Sequence, residues 1–570
     1  MHQLSLAIMM KEKTVSMLFL IALVITGVLA LWMAWYGGKG SWKFLLALFP
    51  LLVILFGVAF FKQSGLAMAV VGLIVSVVLA VTSFATPLDV AIGGACYGFI
   101  KSFGISISVI ATMYMIFLMK EVEALNIISQ VITRQVAGRE VQALYIGIGF
   151  GTFLSCLGVV TPSLFPPLLI AMGFTPLCAI AIAVLGYNAT TSFALLSIPI
   201  TLPAKIGGLN PLEFAFKISI FLPVVSIGIS FAILWIIGGV ESMKKGVAPA
   251  LVSGLSIALA CLCFTSVDYL TGIEYVPLRI VGVLSGLVAM LSLHVQQKIK
   301  PPEQRKEESR DNSHYTRAEI LKAFSPWIIL TILASIISIP QVGTWLTGLP
   351  GKAEVFTVFA DQTVDLDILS QIYTWIIIAT IISLFFLKPS KTQLKNSTIF
   401  WLKRFLIPFL AYSLYFSIAF VMSFSAMQVS NSVLQPITSF REQNMNVILG
   451  TTLADIFGTS YVFVAATIGL FGAVIGGSEA SSNVLFLNVQ KEAIAGIGLN
   501  EKAFMTVYGS HAVAGGTASA ITPAKISNAV VTIDETKETE SLIMRKHLII
   551  TILLTVAACV LTGLFIALGI

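Results

Sequence analysis

Between the apolar run ending at Ile475 and the one starting at Val484 lies Gly476-Gly477-Ser478-Glu479-Ala480-Ser481-Ser482-Asn483. Its hydroxyls, amide and backbone N–H groups at the start of a helix suit an anion, because the unpaired donors and the helix dipole both point at it. The favoured guest is a carboxylate held by Ser478, Ser481, Ser482 and Asn483. Glu479 is different in kind. An intramembrane carboxylate costs on the order of 3 kcal/mol or more when charged and unpaired. It therefore takes up a proton, holds a cation such as Na⁺, or caps the half-helix. A second break, Gly158-Val159-Val160-Thr161-Pro162-Ser163, offers Thr161 and Ser163 and no charge. Its Pro162, with Pro166 and Pro167, removes backbone donors and frees carbonyls. Beyond each break comes a span with a small, polar middle. Asn188, Thr190, Thr191, Ser192 and Ser197 in the first answer Ser510, His511, Thr517, Ser519 and Thr522 in the second. From these, Asn188 and Thr522 are expected to line the site. His511, the histidine placed at depth while His547 falls near a span end, is expected to share proton coupling with Glu479. Lys525 either stabilises an anion or snorkels to the cytoplasmic surface, and snorkelling is favoured.

The elements that must position these residues are membrane helices. Of 570 residues, 57% are hydrophobic and 11% charged, with mean hydropathy +0.96, against about 25% charged for a soluble domain. The net charge of +7 sits mostly in loops beside spans, a positive-inside bias rather than a nucleic-acid surface. The cysteines (Cys96, Cys156, Cys178, Cys261, Cys263 and Cys559) lie in apolar segments without histidine partners, so no metal or cofactor is implied. With about 20 apolar residues per crossing, spans fall near 15–36, 43–61, 66–84, 90–119, 176–204, 213–238, 247–266, 277–295, 322–340, 368–388, 403–428, 501–528 and 547–569. Two further stretches, 142–172 and 459–490, are interrupted in the middle and fit hairpins that enter and leave on one side. Counting either as a full crossing would reverse every later loop and spoil the Lys and Arg asymmetry. The expected fold is thus an all-α polytopic membrane protein of about 13 transmembrane helices with two opposed re-entrant hairpins. Its N-terminus is expected to be cytoplasmic.

A charged, proline-bearing linker, 296–322, divides the chain into an N-terminal half, 1–295, and a C-terminal half, 323–570. Each half runs through a long span, an amphipathic stretch (121–141 and 428–457), an interrupted hairpin, a glycine turn (Gly173-Phe174 and Gly498-Leu499) and a broken span. Pro199 and Pro523 mark the two breaks. An odd number of crossings separates the halves, which inverts the second. Inverted repeats with discontinuous helices mark secondary carriers whose site lies near the midplane. Motifs for ATP hydrolysis, metalloprotease or serine-hydrolase chemistry are absent, so no enzyme is expected. A channel filter repeat is absent too, and no loop has the length of an appended sensory domain.

Gly472 to Phe486 resembles the hairpin pattern of the L-lactate permease family, G-S-[DE]-x-S-S-N followed by small and apolar residues. Gly515-Gly516-Thr517 and Ile521-Thr522-Pro523 resemble its downstream helix, and Gly173 to Leu177 and Ser197 to Ile200 echo its first half. The resemblance implies proton symport of lactate or glycolate-like 2-hydroxy monocarboxylates in the cell membrane. It also implies a homodimer whose two-hairpin transport unit slides against a scaffold. Na⁺-coupled carriage of another organic anion is the alternative. Two positions depart from the family pattern. Gly158-Val159-Val160-Thr161-Pro162 stands where it reads G-F-G-x-P. Ser519 stands where it has lysine, with Lys525 six residues later.

Overall fold

The computed structural model describes residues 41–299, 315–337, 339–348, 355–366, 368–369 and 371–569. The expected span 15–36 and most of the linker 296–322 lie outside the described residues. Among the described residues, nine helices are long and apolar enough to cross a membrane, or eleven if each of two bent pairs counts as one span. Several expected spans are interrupted. The stretch 90–119 is two helices, Leu88–Lys101 and Phe103–Glu121, meeting at Ser102, and 368–388 is one helix of 16 residues, Ile372–Leu387.

Water does not drive helices together inside a bilayer, so close packing and interhelical hydrogen bonds must. The pair Leu88–Lys101 and Leu406–Ser423 shows how. Gly98 brings the backbones so close that a Cβ there would lie 2.4 Å from the Phe416 carbonyl oxygen. Ser417 Oγ donates to the Ala95 carbonyl at 2.8 Å, and the Ser102 and Ser413 hydroxyls meet at 2.8 Å.

The polar interruptions read from the sequence are where helices stop. In the first half, Gly151–Cys156, continued from a π-helical turn at Tyr145–Phe150, ends at a loop before Thr161–Ala171. In the second, Ala466–Gly476 ends at Gly477, and Glu479–Gly496 begins after a single intervening residue, Ser478. Gly158 (φ +93°) and Gly477 (φ +68°) occupy left-handed backbone at the two tips, where a side chain would be strained. After each glycine turn a capped helix starts. Thr175 Oγ1 accepts from Cys178 N at 3.4 Å, and Asn500 Oδ1 accepts from Ala503 N at 3.0 Å. Such a cap contributes about 1 kcal/mol.

Both following spans break, but differently. Glu501–Ala518 passes through a single 3-10 turn, Ser519–Ile521, into Pro523–Thr532. Pro176–Leu185 gives way to 3-10 turns from Gly186 to Phe193 and then to three consecutive left-handed residues, Leu195, Leu196 and Ser197. The break ends at Ser197, two residues before Pro199. Left-handed backbone costs roughly 1–2 kcal/mol per non-glycine residue. Ser197 Oγ, donating to the Leu278 carbonyl at 2.7 Å, helps hold it.

Two short β-hairpins are set into the otherwise helical fold. Val355–Phe359 pairs antiparallel with Gln362–Asp365, and Met427–Ser430 with Val433–Pro436. The second hairpin occupies the start of the expected amphipathic stretch 428–457, which turns helical only at Phe440–Gln443 and Met445–Phe457. Leu434 N donates to Asp361 Oδ1 at 2.8 Å and Ala360 N to the Ser432 carbonyl at 2.9 Å, so the two hairpins dock on each other.

Candidate functional site

The two tips meet at one cavity of about 80 Å³. Val159, Val160, Thr161 and Pro162 come from the first tip, and Gly477, Ser478, Glu479 and Ala480 from the second. The broken spans add Tyr187, Asn188, Ala194, Leu195 and Pro199 on one side and Ser519 and Lys525 on the other, while Ile105, Ser155 and Tyr412 complete the wall. The first turns of Thr161–Ala171, Glu479–Gly496 and Pro523–Thr532 all reach this space. Three positive helix ends therefore converge on it.

Hydrogen bonds orient several of the polar side chains at the wall. Ser478 is the N-cap of its helix: its Oγ accepts from Ser481 N at 3.2 Å and meets Ser481 Oγ at 2.9 Å. Capping thus falls to Ser478, which leaves the buried Glu479 carboxylate to accept a hydrogen bond from Ser192 Oγ of the other half. Thr161 Oγ1 donates to the Ala183 carbonyl at 3.2 Å, and Asn188 Nδ2 donates to the Val184 carbonyl at 2.9 Å. The Thr161 hydroxyl proton is thus committed to the backbone and its oxygen remains as an acceptor, while Asn188 keeps Oδ1 as an acceptor and a second Nδ2 proton as a donor.

Six residues expected at the site are buried or braced beside it instead. Ser481 is tied to Ser478. Ser482 Oγ donates to the Gly469 carbonyl at 3.0 Å, joining the two arms of its hairpin. Asn483 Nδ2 donates to the Pro199 carbonyl at 2.9 Å, and the Asn483 carbonyl accepts from Tyr508 Oη at 2.6 Å. Ser163 Oγ accepts from Asn528 Nδ2 at 2.8 Å, pinning the first hairpin to the last broken helix. Thr522 Oγ1 and Asn483 Oδ1 are buried without a partner among the described residues. His511 sits behind the second hairpin, with Nδ1 at 3.1 Å from Gln490 Nε2 and Nε2 at 3.2 Å from Ser482 Oγ. Gln490 Oε1 accepts from Tyr461 Oη at 2.7 Å, which fixes the amide so that its nitrogen faces the ring. The imidazole then carries its proton on Nε2 and is satisfied on both sides.

Two residues behave differently from their expected placement. Lys525 does not snorkel outward. Its ammonium reaches Ser519 Oγ and lies 5.4 Å from the centre of the Tyr187 ring, at the cavity wall. His547 is also fully buried, with Nδ1 at 2.9 Å from the Ala520 carbonyl, so His511 is not the one histidine enclosed by the protein. Tyr187 and Tyr412 were not anticipated as wall residues. A tyrosine inside an apolar span is the only signal that sequence offered.

The L-lactate permease family profile matches residues 43–569. The chain belongs to the L-lactate permease family. It is 26% identical to the L-lactate permease of Bacillus subtilis over 532 residues, covering 84% of this chain and 88% of that one. The glycolate permease GlcA of Escherichia coli is 25% identical over 526 residues, with 84% and 88% covered. The L-lactate permease of Salmonella typhimurium is 23% identical over 533 residues, with 87% and 91% covered. Family and helices together make this chain a multi-pass membrane protein of a permease family, with a transporter's architecture rather than an enzyme's.

Proposed function

We propose that this chain carries a 2-hydroxy monocarboxylate of the lactate and glycolate class across the cell membrane together with a proton. The observation that carries this reading is a buried acid, Glu479, at a small cavity where two helix tips and three helix N-termini meet. Anion affinity comes from the converging helix ends. Proton affinity comes from a carboxylate that is costly to keep charged in apolar surroundings. At the wall, Thr161 Oγ1 and Asn188 Oδ1 can each accept a hydrogen bond from the 2-hydroxyl of such a substrate. Ser478 is the second-hairpin serine that the cavity reaches, and Ser481, Ser482 and Asn483 brace it.

In this proposal both hairpins are re-entrant, the halves are inverted repeats, the N-terminus is cytoplasmic, and a homodimeric scaffold flanks a moving unit that carries both tips. Alternating access then exposes one site to each side in turn. Na⁺ coupling is a second reading, favoured by two buried oxygens without partners, Asn483 Oδ1 and Thr522 Oγ1, since a hard cation takes oxygen ligands.

Uptake of labelled lactate into proteoliposomes separates the two. An inward proton gradient is expected to drive accumulation without Na⁺, and Glu479→Gln to abolish accumulation while leaving downhill exchange. Accumulation on a Na⁺ gradient alone would replace the proton by Na⁺. Failure of both gradients, or full proton-driven accumulation by Glu479→Gln, would overturn the proposal.

A further inference from the structure

We propose that Lys525 is the counter-charge for the substrate carboxylate and that the Lys525–Glu479 pair restricts the site to one negative charge per proton. The inference rests on the carrier reading above. Lys525 stands in the first turn of Pro523–Thr532, the positive end of a helix, where a cation is disfavoured. It is half-buried, and among the described residues no carboxylate forms an ion pair with it. Its polar contacts are one hydroxyl, Ser519 Oγ, and one ring face, Tyr187. A cation so placed is completed by an anion arriving in the cavity. Ser519 and Tyr187 line the same space, so the ammonium is aimed rather than free to swing.

Charge balance then dictates what the site accepts. Lys525 and Glu479 are the two charged side chains at the wall, so the empty site is neutral. A monocarboxylate brings one negative charge, and a proton on Glu479 restores neutrality. In low-dielectric surroundings an unbalanced charge is costly, so anion and proton bind with positive linkage, and each raises the affinity for the other. A dicarboxylate leaves one charge uncompensated and is rejected. The other titratable groups nearby do not substitute for Glu479. Tyr187 and Tyr412 share the wall and carry no carboxylate. Tyr508 is committed to the Asn483 carbonyl, and His511 is held between Ser482 and Gln490.

Equilibrium binding of labelled lactate, glycolate and malate to purified full-length protein in lipid nanodiscs tests this between pH 5 and 8. Wild type is expected to bind both monocarboxylates, with affinity falling up to tenfold per pH unit above the protonation range, and to ignore malate. Lys525→Gln should weaken monocarboxylate binding tenfold or more, while Lys525→Arg, which keeps the charge and controls for folding, should recover most of it. Glu479→Gln should bind lactate with no pH dependence. Wild-type affinity in Lys525→Gln would overturn the inference while leaving the carrier reading intact. Lys525-dependent binding of malate but not lactate would instead overturn the substrate assignment and the one-charge rule. Absence of binding of all three anions would remove both.

Discussion

Glu479 and His511 were paired in the sequence as two groups able to carry a proton at depth, and the side-chain network now separates them. Glu479 stands at the cavity wall with one hydroxyl donor, whereas His511 is enclosed by Phe486 and Tyr508 and hydrogen-bonded at both ring nitrogens. A histidine that is already satisfied holds its neighbours in place. Replacing it leaves Ser482 and Gln490 each short of a partner, at about 1–3 kcal/mol for a buried unsatisfied group. His511→Gln is therefore expected to lower the thermal unfolding midpoint in detergent while keeping proton-driven accumulation within about threefold of wild type, the scale of a sub-kcal/mol effect. Loss of accumulation with unchanged stability would return His511 to the coupling machinery. Lys525 carries a related lesson. Its presence six residues past Ser519 was visible in the sequence, but the direction of a flexible four-carbon side chain depends on what surrounds it. Only the fold shows Tyr187 and Ser519 beside the ammonium.

At the scale of elements, each hairpin's first arm is fused to the broken helix that follows it. A Cβ on Gly186 would lie 2.6 Å from the Gly147 backbone, and one on Gly469 would lie 2.0 Å from the His511 carbonyl oxygen. Gly469→Ala cannot be accommodated by a side-chain shift and is expected to cost about 3 kcal/mol or more, at the upper end of overpacking effects. Gly477→Ala has ordinary van der Waals space, 3.5 Å to Tyr415 Cβ, and carries only left-handed strain of roughly 1–2 kcal/mol. Thermal unfolding of the two variants should rank Gly469→Ala as the more damaged, and the opposite order would mean that the arm and helix are not in contact. The polar breaks, glycine turns and capped helix starts were legible because small polar residues interrupt apolar runs of known length. Other elements were not. The strands Met427–Ser430 and Val433–Pro436 are four residues each, too short for alternation to announce them. The left-handed run Leu195 to Ser197 uses residues with no local preference for it, so tertiary contacts such as Ser197 to Leu278 must impose it. The helix that carries His547, Lys537–Ala567, begins ten residues before it, because the charged run 537–546 is helical although too polar for hydropathy to include it in a span.

For the whole molecule, the arm-to-helix contacts imply that the tips and broken spans travel together if anything travels. The counter-surface is then Leu406–Ser423 and its neighbours, which Ser102, Ser413 and Ser417 lock to the helices before the first hairpin. Among the described residues, an ion pair links the two sides beside the last broken helix. Arg404, just ahead of Leu406–Ser423 and covering the Phe400 ring at 3.6 Å, pairs at 2.9 Å with Asp534, just beyond Pro523–Thr532. Asp534 is largely exposed, so the pair contributes little to stability, on the order of 1 kcal/mol or less. Such a contact can break and reform during a transport cycle at small cost. A sliding unit must separate these residues, and a fixed one need not. Cysteines placed at Arg404 and Asp534, with the exposed Cys96 and Cys263 replaced by serine, allow a cleavable bifunctional reagent to bridge them. Bridging is expected to reduce lactate uptake about tenfold or more, since a cycle confined to one arrangement cannot alternate, and reductive cleavage should restore it. Undiminished uptake with the bridge intact would mean that the last broken helix keeps its place against the scaffold, and that access alternates through the hairpin tips alone.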